Sequence, residues 1–226
     1  MIILRWGMLG VIINPRGTGG SGKTELARRI LSDYGWGKDG IVQPLRREGR
    51  ERPIGYRLRH PLGGRPLIVL GHYERTSGGC DTIPLTDGGL DEIFRLADAS
   101  ATGGHDVLLE GAACSVEYSR SAVLARRHRL HVLHLSTSLE QSVRNLVARR
   151  RARKSTRRLI EQTVRAQHQA VEAACVHLQG VADVATVDFD SALQRARTLL
   201  GLRPPAESIR LPAAFRGRRT LEGCQA

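Results

Sequence analysis

Residues Gly17 to Thr24 read GTGGSGKT, and the apolar run Met8-Leu-Gly-Val-Ile-Ile13 leads into them. Together they dictate how the chain must begin to fold. Every fixed position of the phosphate-binding pattern G-x-x-x-x-G-K-[ST] is present. Glycines at this spacing let successive backbone N–H groups turn inward and form a nest for anionic oxygens. The apolar run is then the first, central strand. The helix after it, from Gly22 to about Ser32, adds its N-terminal donors and the positive end of its dipole. In such a loop Gly17, Gly19, Gly20, Ser21 and Gly22 cradle the phosphates of ATP, and Lys23 reaches the β- and γ-phosphates. The Thr24 hydroxyl ligates Mg²⁺.

The 226 residues suffice for one well-buried core, expected over 1–200, with a proline- and arginine-rich tail over 201–226. No apolar run approaches the ~20 residues that span a bilayer, so no membrane partner is expected. Cys80, Cys114, Cys175 and Cys224 are scattered, without a C-x-x-C pair. That argues against a zinc site or a disulfide framework and suits a reducing cytoplasm. The formal charge is +13, from 35 basic and 22 acidic residues. A surface this positive attracts polyanions, nucleic acid above all.

Alternating apolar segments continue downstream. Ile54, Tyr56 and Leu58 alternate with Gly55, Arg57 and Arg59, as in a strand with one wet face. His60 to Gly64 is a turn and Pro66 to Tyr73 a second strand, so the two form a β-hairpin with a basic outer face. Helical periods follow at 87–101, 121–127, 139–149, 156–178 and 191–200, with strands at 106–109, 131–135 and 184–187. In the long helix Ile160, Val164, Val171, Cys175 and Leu178 fall on one stripe. The alternation specifies an α/β sheet covered on both faces. Taken with the phosphate loop and the motifs below, the expected fold is a P-loop kinase-like three-layer sandwich with a mostly parallel central sheet, an arginine-rich lid and a basic hairpin.

Phosphate loops serve many chemistries, and other motifs must select among them. A guanine-reading N-K-x-D element is absent. Glu110 ends the buried strand DVLL, where small kinases place the acid that holds the Mg²⁺ shell; the plain alternative is a glutamate opening a loop. Arg144 and Arg149, on a helix leading to the lid at about 149–158, are candidates for neutralising the transferring phosphoryl group. A solvated basic helix end accounts for them equally simply. The loop after the second hairpin strand, GHYERTSGGCD, leaves a strand end where α/β proteins place ligand loops. There His72, Tyr73, Glu74 and Arg75 offer donors, acceptors and a ring, and Gly78 and Gly79 allow close approach. Asp81 fits either a base for an attacking hydroxyl or a cap on a hairpin exit loop. His128, His131 and His134 are read as surface or packing residues, because 131 and 134 point to opposite faces of a strand.

NPRGTGGSGKT, GHYERTSGGCDTIP and HDVLLEG, in this order, resemble a family of bacteriophage P-loop kinases that act on 5-hydroxymethyluracil within DNA. The resemblance covers roughly residues 8 to 190. It implies phosphorylation of the hydroxymethyl oxygen as a step in DNA hypermodification, in the host cytoplasm. It also implies Lys23 and Thr24 at ATP–Mg²⁺, Asp81 near the acceptor hydroxyl and Glu110 beside the metal. DNA containing modified pyrimidines would be the partner, tracked by the arginines of the hairpin (46–65) and of the run 144–158. A flipped base would stack on Tyr56, Tyr73 or Trp36. Two other readings stand beside this one: a kinase of free (deoxy)nucleotides or a small alcohol, and a basic DNA-binding NTPase that forms no phosphorylated product.

Overall fold

A computed structural model describes residues 10–37, 42–74, 88–111 and 116–202. Its centre is β1 (Val11–Arg16), every residue of which is buried. A strand covered on both faces must be apolar without alternation, which explains the run Val-Ile-Ile. β5 (Asp106–Leu109) and β6 (Arg129–Leu135) flank β1, both parallel to it. β4 (Leu67–Leu70) lies outside β5 and β7 (Asp183–Val187) outside β6, again parallel. The expected hairpin is present as β3 (Gly55–Leu58) antiparallel to β4. A further edge strand, β2 (Val42–Leu45), pairs antiparallel with β3, giving the order β2-β3-β4-β5-β1-β6-β7. β2 contains Pro44, whose missing N–H is tolerated at a sheet edge.

Helices cover both faces. α1 (Lys23–Asp33) and α6 (Phe189–Leu199) pack Leu26, Ile30, Ala192 and Ala196 against Ile13, Leu133 and Leu135. On the other face α2 (Gly89–Thr102), α3 (Val116–Arg127) and the C-terminal half of α5 (Lys154–Leu178) enclose Ile12, Val107, Leu109 and Val132. The expected three-layer α/β architecture is therefore present. The stripe on α5 is not single, however. Val171, Cys175 and Leu178 join the sheet core, whereas Ile160 and Val164 pack with Val143 and Leu146 of α4 (Leu139–Arg150) in a separate cluster. Length explains the division. The 25 residues of α5 span about 37 Å at 1.5 Å each, whereas the seven of β6 span about 23 Å. The first half of α5 thus extends past the sheet and pairs with α4.

All five parallel strands end at one edge. There the phosphate loop follows β1 and Glu110 follows β5, and the flanking connections leave toward opposite faces, which opens a crevice for ligand. Among the described residues no helix is long and apolar enough to cross a membrane. Of the predicted tail, residues 203–226 lie outside the described residues.

Candidate active site

Gly22 caps α1 with φ 104°, a left-handed conformation that favours glycine. It brings no side chain to the first turn, so the N-terminal donors of α1 are left to face the cleft. Lys23 folds back over the loop, its Nζ donating to the carbonyls of Gly17 (2.7 Å) and Thr18 (3.0 Å). Thr24 Oγ1 donates to Glu110 Oε2 at 3.2 Å, joining the first turn of α1 to the end of β5. Glu110 is buried. The cleft, about 330 Å³, is walled by the loop residues Thr18 to Thr24, by Arg28 and Glu110, and by Asn145 and Arg149 of α4.

The α4–α5 pair grips the outer side of the loop. Ser142 Oγ accepts from Thr18 Oγ1 (3.1 Å), and Asn145 Nδ2 donates to the Gly20 carbonyl (2.8 Å). Gln167 of α5 accepts from the Gly19 N–H (3.0 Å), and Thr137 Oγ1 donates to the Ser21 carbonyl (2.9 Å). A β-carbon on Gly20 would sit 2.4 Å from the Ser142 carbonyl oxygen, so α4 can approach this closely only because that position is glycine. Holding the loop in its binding shape before ligand arrives reduces the ordering cost of binding. Gln167→Ala is therefore expected to raise the Kd for ATP by roughly two- to tenfold, the weight of one ordinary hydrogen bond. Calorimetric titration measures this, and unchanged affinity would mean that Gly19 needs no outside acceptor.

At the base of the cleft Arg16 is fully buried. Its Nε donates to Asn14 Oδ1 (2.7 Å) and its Nη2 to Ser121 Oγ (2.8 Å). Asn14 Nδ2 in turn donates to the Leu109 carbonyl (2.6 Å), so the ends of β1 and β5 are tied beside Glu110.

The structure brings Lys23, Thr24, Glu110, Arg149 and the loop residues Gly19 to Gly22 to one cleft. Gly17 lies at its root, its carbonyl facing Lys23. Arg144 is not among them. It donates to Gln141 Oε1 (2.8 Å) and lines a separate groove with Glu140, Arg157 and Glu161. His72 and Tyr73 are buried. His72 Nε2 bonds Glu74 Oε2 (3.2 Å), and the Tyr73 carbonyl accepts from Arg28. Tyr56 donates to Glu74 Oε1 (3.3 Å), and burial foremost pushes its phenol up to about 12. Tyr56 and Tyr73 are thus packed in the core rather than offered as stacking platforms, and Trp36 is packed edge-on against Tyr56 at 4.5 Å. Arg75, Gly78, Gly79 and Asp81 lie outside the described residues. His128, His131 and His134 are all buried, each held by a different neighbour: Asp98, Asp183 and Thr186. Burial first, then the nearby His168 and Arg16, hold the His134 imidazole below its ordinary value, with Glu172 opposing.

Arg28 was legible in principle, since it stands four residues after Thr24 on α1 and so on the same helical face. Asn145, Ser142 and Gln167 carry no such local signal.

No family model matches the chain. The 5-hmdU DNA kinase of Pseudomonas phage PaMx11 is 34% identical over 192 residues, which cover 84% of this chain and 96% of that protein. Among solved structures, a gluconokinase from Sinorhizobium meliloti 1021 shares 14% identity at a TM-score of 0.47, over 86% of this chain and 93% of its own. The shikimate kinase of Acinetobacter baumannii shares 16% at 0.41, over 85% and 94%.

Proposed function

This chain belongs to the family of phage 5-hmdU DNA kinases, and from that premise we propose that it transfers the γ-phosphoryl group of ATP to the hydroxymethyl oxygen of a 5-hydroxymethylpyrimidine in DNA. The base is 5-hydroxymethyluracil, and the product is an intermediate of DNA hypermodification in the infected cytoplasm. The observation that carries the reading is the meeting of Lys23, Thr24 and Glu110 at the mouth of a phosphate loop, in a chain of this family.

The phosphate loop and the start of α1 supply backbone donors to the β- and γ-phosphates. Lys23 moves from the Gly17 and Thr18 carbonyls onto the phosphates and neutralises charge there. Arg149 and Arg28, both lining the cleft, supply further positive charge beside the transferring group. The donor set fits Mg²⁺, since a hydroxyl and a carboxylate meet beside the loop and both are hard oxygen ligands. Thr24 and Glu110 are the residues that would hold it, and when bound it supplies charge neutralisation at the β- and γ-oxygens. Asp81 takes the proton of the attacking hydroxyl. The acceptor oxygen–phosphorus bond forms as the bond to ADP breaks, and the protein contributes chiefly position and charge. The α4–α5 connection is the lid, and 75–87 carries the remaining acceptor contacts.

The formal charge of +13 supports a DNA acceptor, since a kinase of free nucleotides needs cations only within its pocket. The test is incubation with γ-labelled ATP and Mg²⁺ in the presence of DNA containing 5-hydroxymethyluracil, or of the free nucleoside and nucleotides. Label on the DNA base, falling steeply with added salt, is expected. Label on the free compounds alone would make this a small-acceptor kinase. Phosphate release stimulated by DNA, with no labelled acceptor, would make it an NTPase.

A further inference from the structure

The α4–α5 turn carries cations that the phosphate cleft leaves unused. From 149 to 158 the chain has Arg149, Arg150, Arg151, Arg153, Lys154, Arg157 and Arg158, and no acidic residue. The six arginines are exposed. Arg149 faces the cleft and Arg157 shares the groove of Glu140 and Glu161. Arg150, Arg151 and Arg153 do neither, and the guanidinium of none of the three bonds or pairs with another described residue.

Arg151 stands out further. Its φ of 49° makes it the one non-glycine residue with positive φ among the described residues. The Arg151 N–H donates to the Ala148 carbonyl (3.2 Å) and the Ala152 N–H to that of Val147 (3.1 Å). That pattern closes helix C-termini through a left-handed residue, usually glycine and sometimes asparagine, because a β-carbon is disfavoured there. Backbone strain of this kind clusters at ligand-contacting and switch sites. Meanwhile the basic hairpin divides between the two ends of the sheet. The loop 46–54 reaches the edge that bears the cleft, whereas Arg59 and the turn 60–64 adjoin the start of β4 at the opposite edge. The hairpin as a whole therefore cannot line one continuous track with the cleft, although its loop 46–54 shares that edge, whereas the α4–α5 turn directly continues the helix that carries Arg149 into the cleft.

We propose that Arg150, Arg151 and Arg153 form the surface that grips the phosphodiester backbone of the DNA strand leading into the cleft, and that Arg151 occupies a glycine position because that contact requires its guanidinium. The proposal rests on DNA being the acceptor. Arginine suits the task, since its planar fork pairs with phosphate oxygens and keeps its charge.

The experiment measures anisotropy of a fluorescein-labelled DNA oligonucleotide in a salt series, together with ATP titration, thermal unfolding and DNA phosphorylation. Arg151→Gly relieves the strain and is expected to melt higher than wild type, yet to bind DNA less tightly, with a log K against log [salt] slope shallower by about one. Arg150→Ala and Arg153→Ala are expected to lose about one each. Arg151→Lys, which keeps a charge on the same backbone, should retain most of the slope. Wild-type DNA affinity and slope in Arg151→Gly would overturn the proposal, as would a parallel loss of ATP affinity, which would assign these arginines to the nucleotide. Either result, obtained while the protein still labels DNA, leaves the kinase reading intact. Failure of the wild-type protein to label DNA sinks that reading first and this one with it.

Discussion

Lys23→Ala is expected to lower kcat/KM for phosphoryl transfer by roughly a hundred- to thousandfold, about 3–4 kcal/mol of transition-state stabilisation, while the fold survives. The size follows from what the ammonium faces. Nζ rests on the Gly17 and Thr18 carbonyls, both on the loop that must also carry the phosphates. The cation meets the phosphates of bound ATP as well as the charge that develops on transfer, so its loss should appear in KM and, where charge develops, more strongly in kcat. The competing account is that alanine simply loosens the loop. Two hydrogen bonds at a partly exposed site are worth about 1 kcal/mol each, which predicts a modest fall in melting temperature and an effect of about thirtyfold at most. Lys23→Arg separates the two accounts. Its flat guanidinium keeps the charge but cannot repeat the compact contact with both carbonyls, and it should recover little activity. Steady-state kinetics beside thermal unfolding decide the matter. If alanine retains activity within about tenfold of wild type, the central electrostatic role of this lysine is lost.

The phosphate loop could be read from the sequence because its geometry is local. Eight consecutive residues and the strand before them contain all the instructions. Glu110 was legible for a related reason. Asp106 to Leu109 is buried throughout, so a carboxylate immediately after it must emerge at the carboxyl edge of the sheet. Arg144 and Arg149 were paired by their shared position near the lid. Five residues turn a helix by about 500°, some 140° past a full turn, so the two side chains leave in different directions, and only Arg149 lines the cleft. The stripe on α5 had the right residues, but helical period alone cannot say that a long helix outreaches its sheet. β2 left little trace because a four-residue edge strand with Gln43 and Pro44 has no apolar period, and pairing with β3 creates it. Gln167 and Asn145 meet the loop across 148 and 125 residues of sequence, a contact that only the packing of α4 on α5 produces. The rings of Tyr56 and Tyr73 read as platforms for a base, but β3 and the end of β4 place both in the core under α1.

Glu110→Gln is the sharper test of the site, because stability and activity are expected to move in different directions. Glutamine keeps the size of the side chain and an oxygen to accept from Thr24 Oγ1, so the bridge between α1 and β5 persists. What disappears is a negative charge that is 6% exposed. Glutamine removes the desolvation cost of a buried carboxylate while keeping the bridge, so the variant is expected to unfold close to or above the wild-type temperature. Turnover should nevertheless fall by roughly a hundredfold or more, because the charge that attracts a divalent cation beside the γ-phosphate is gone. The Mg²⁺ concentration needed for half-maximal rate should rise in the same variant, whereas nucleotide affinity measured without metal should stay level or increase, since one anion no longer faces another. Thr24→Ala serves as the companion: it removes the hydroxyl ligand without altering charge, and should shift the metal dependence but not the metal-free affinity. If Glu110→Gln instead loses stability and activity together, with an unchanged metal requirement, Glu110 is a strut between α1 and β5 and the metal site lies elsewhere.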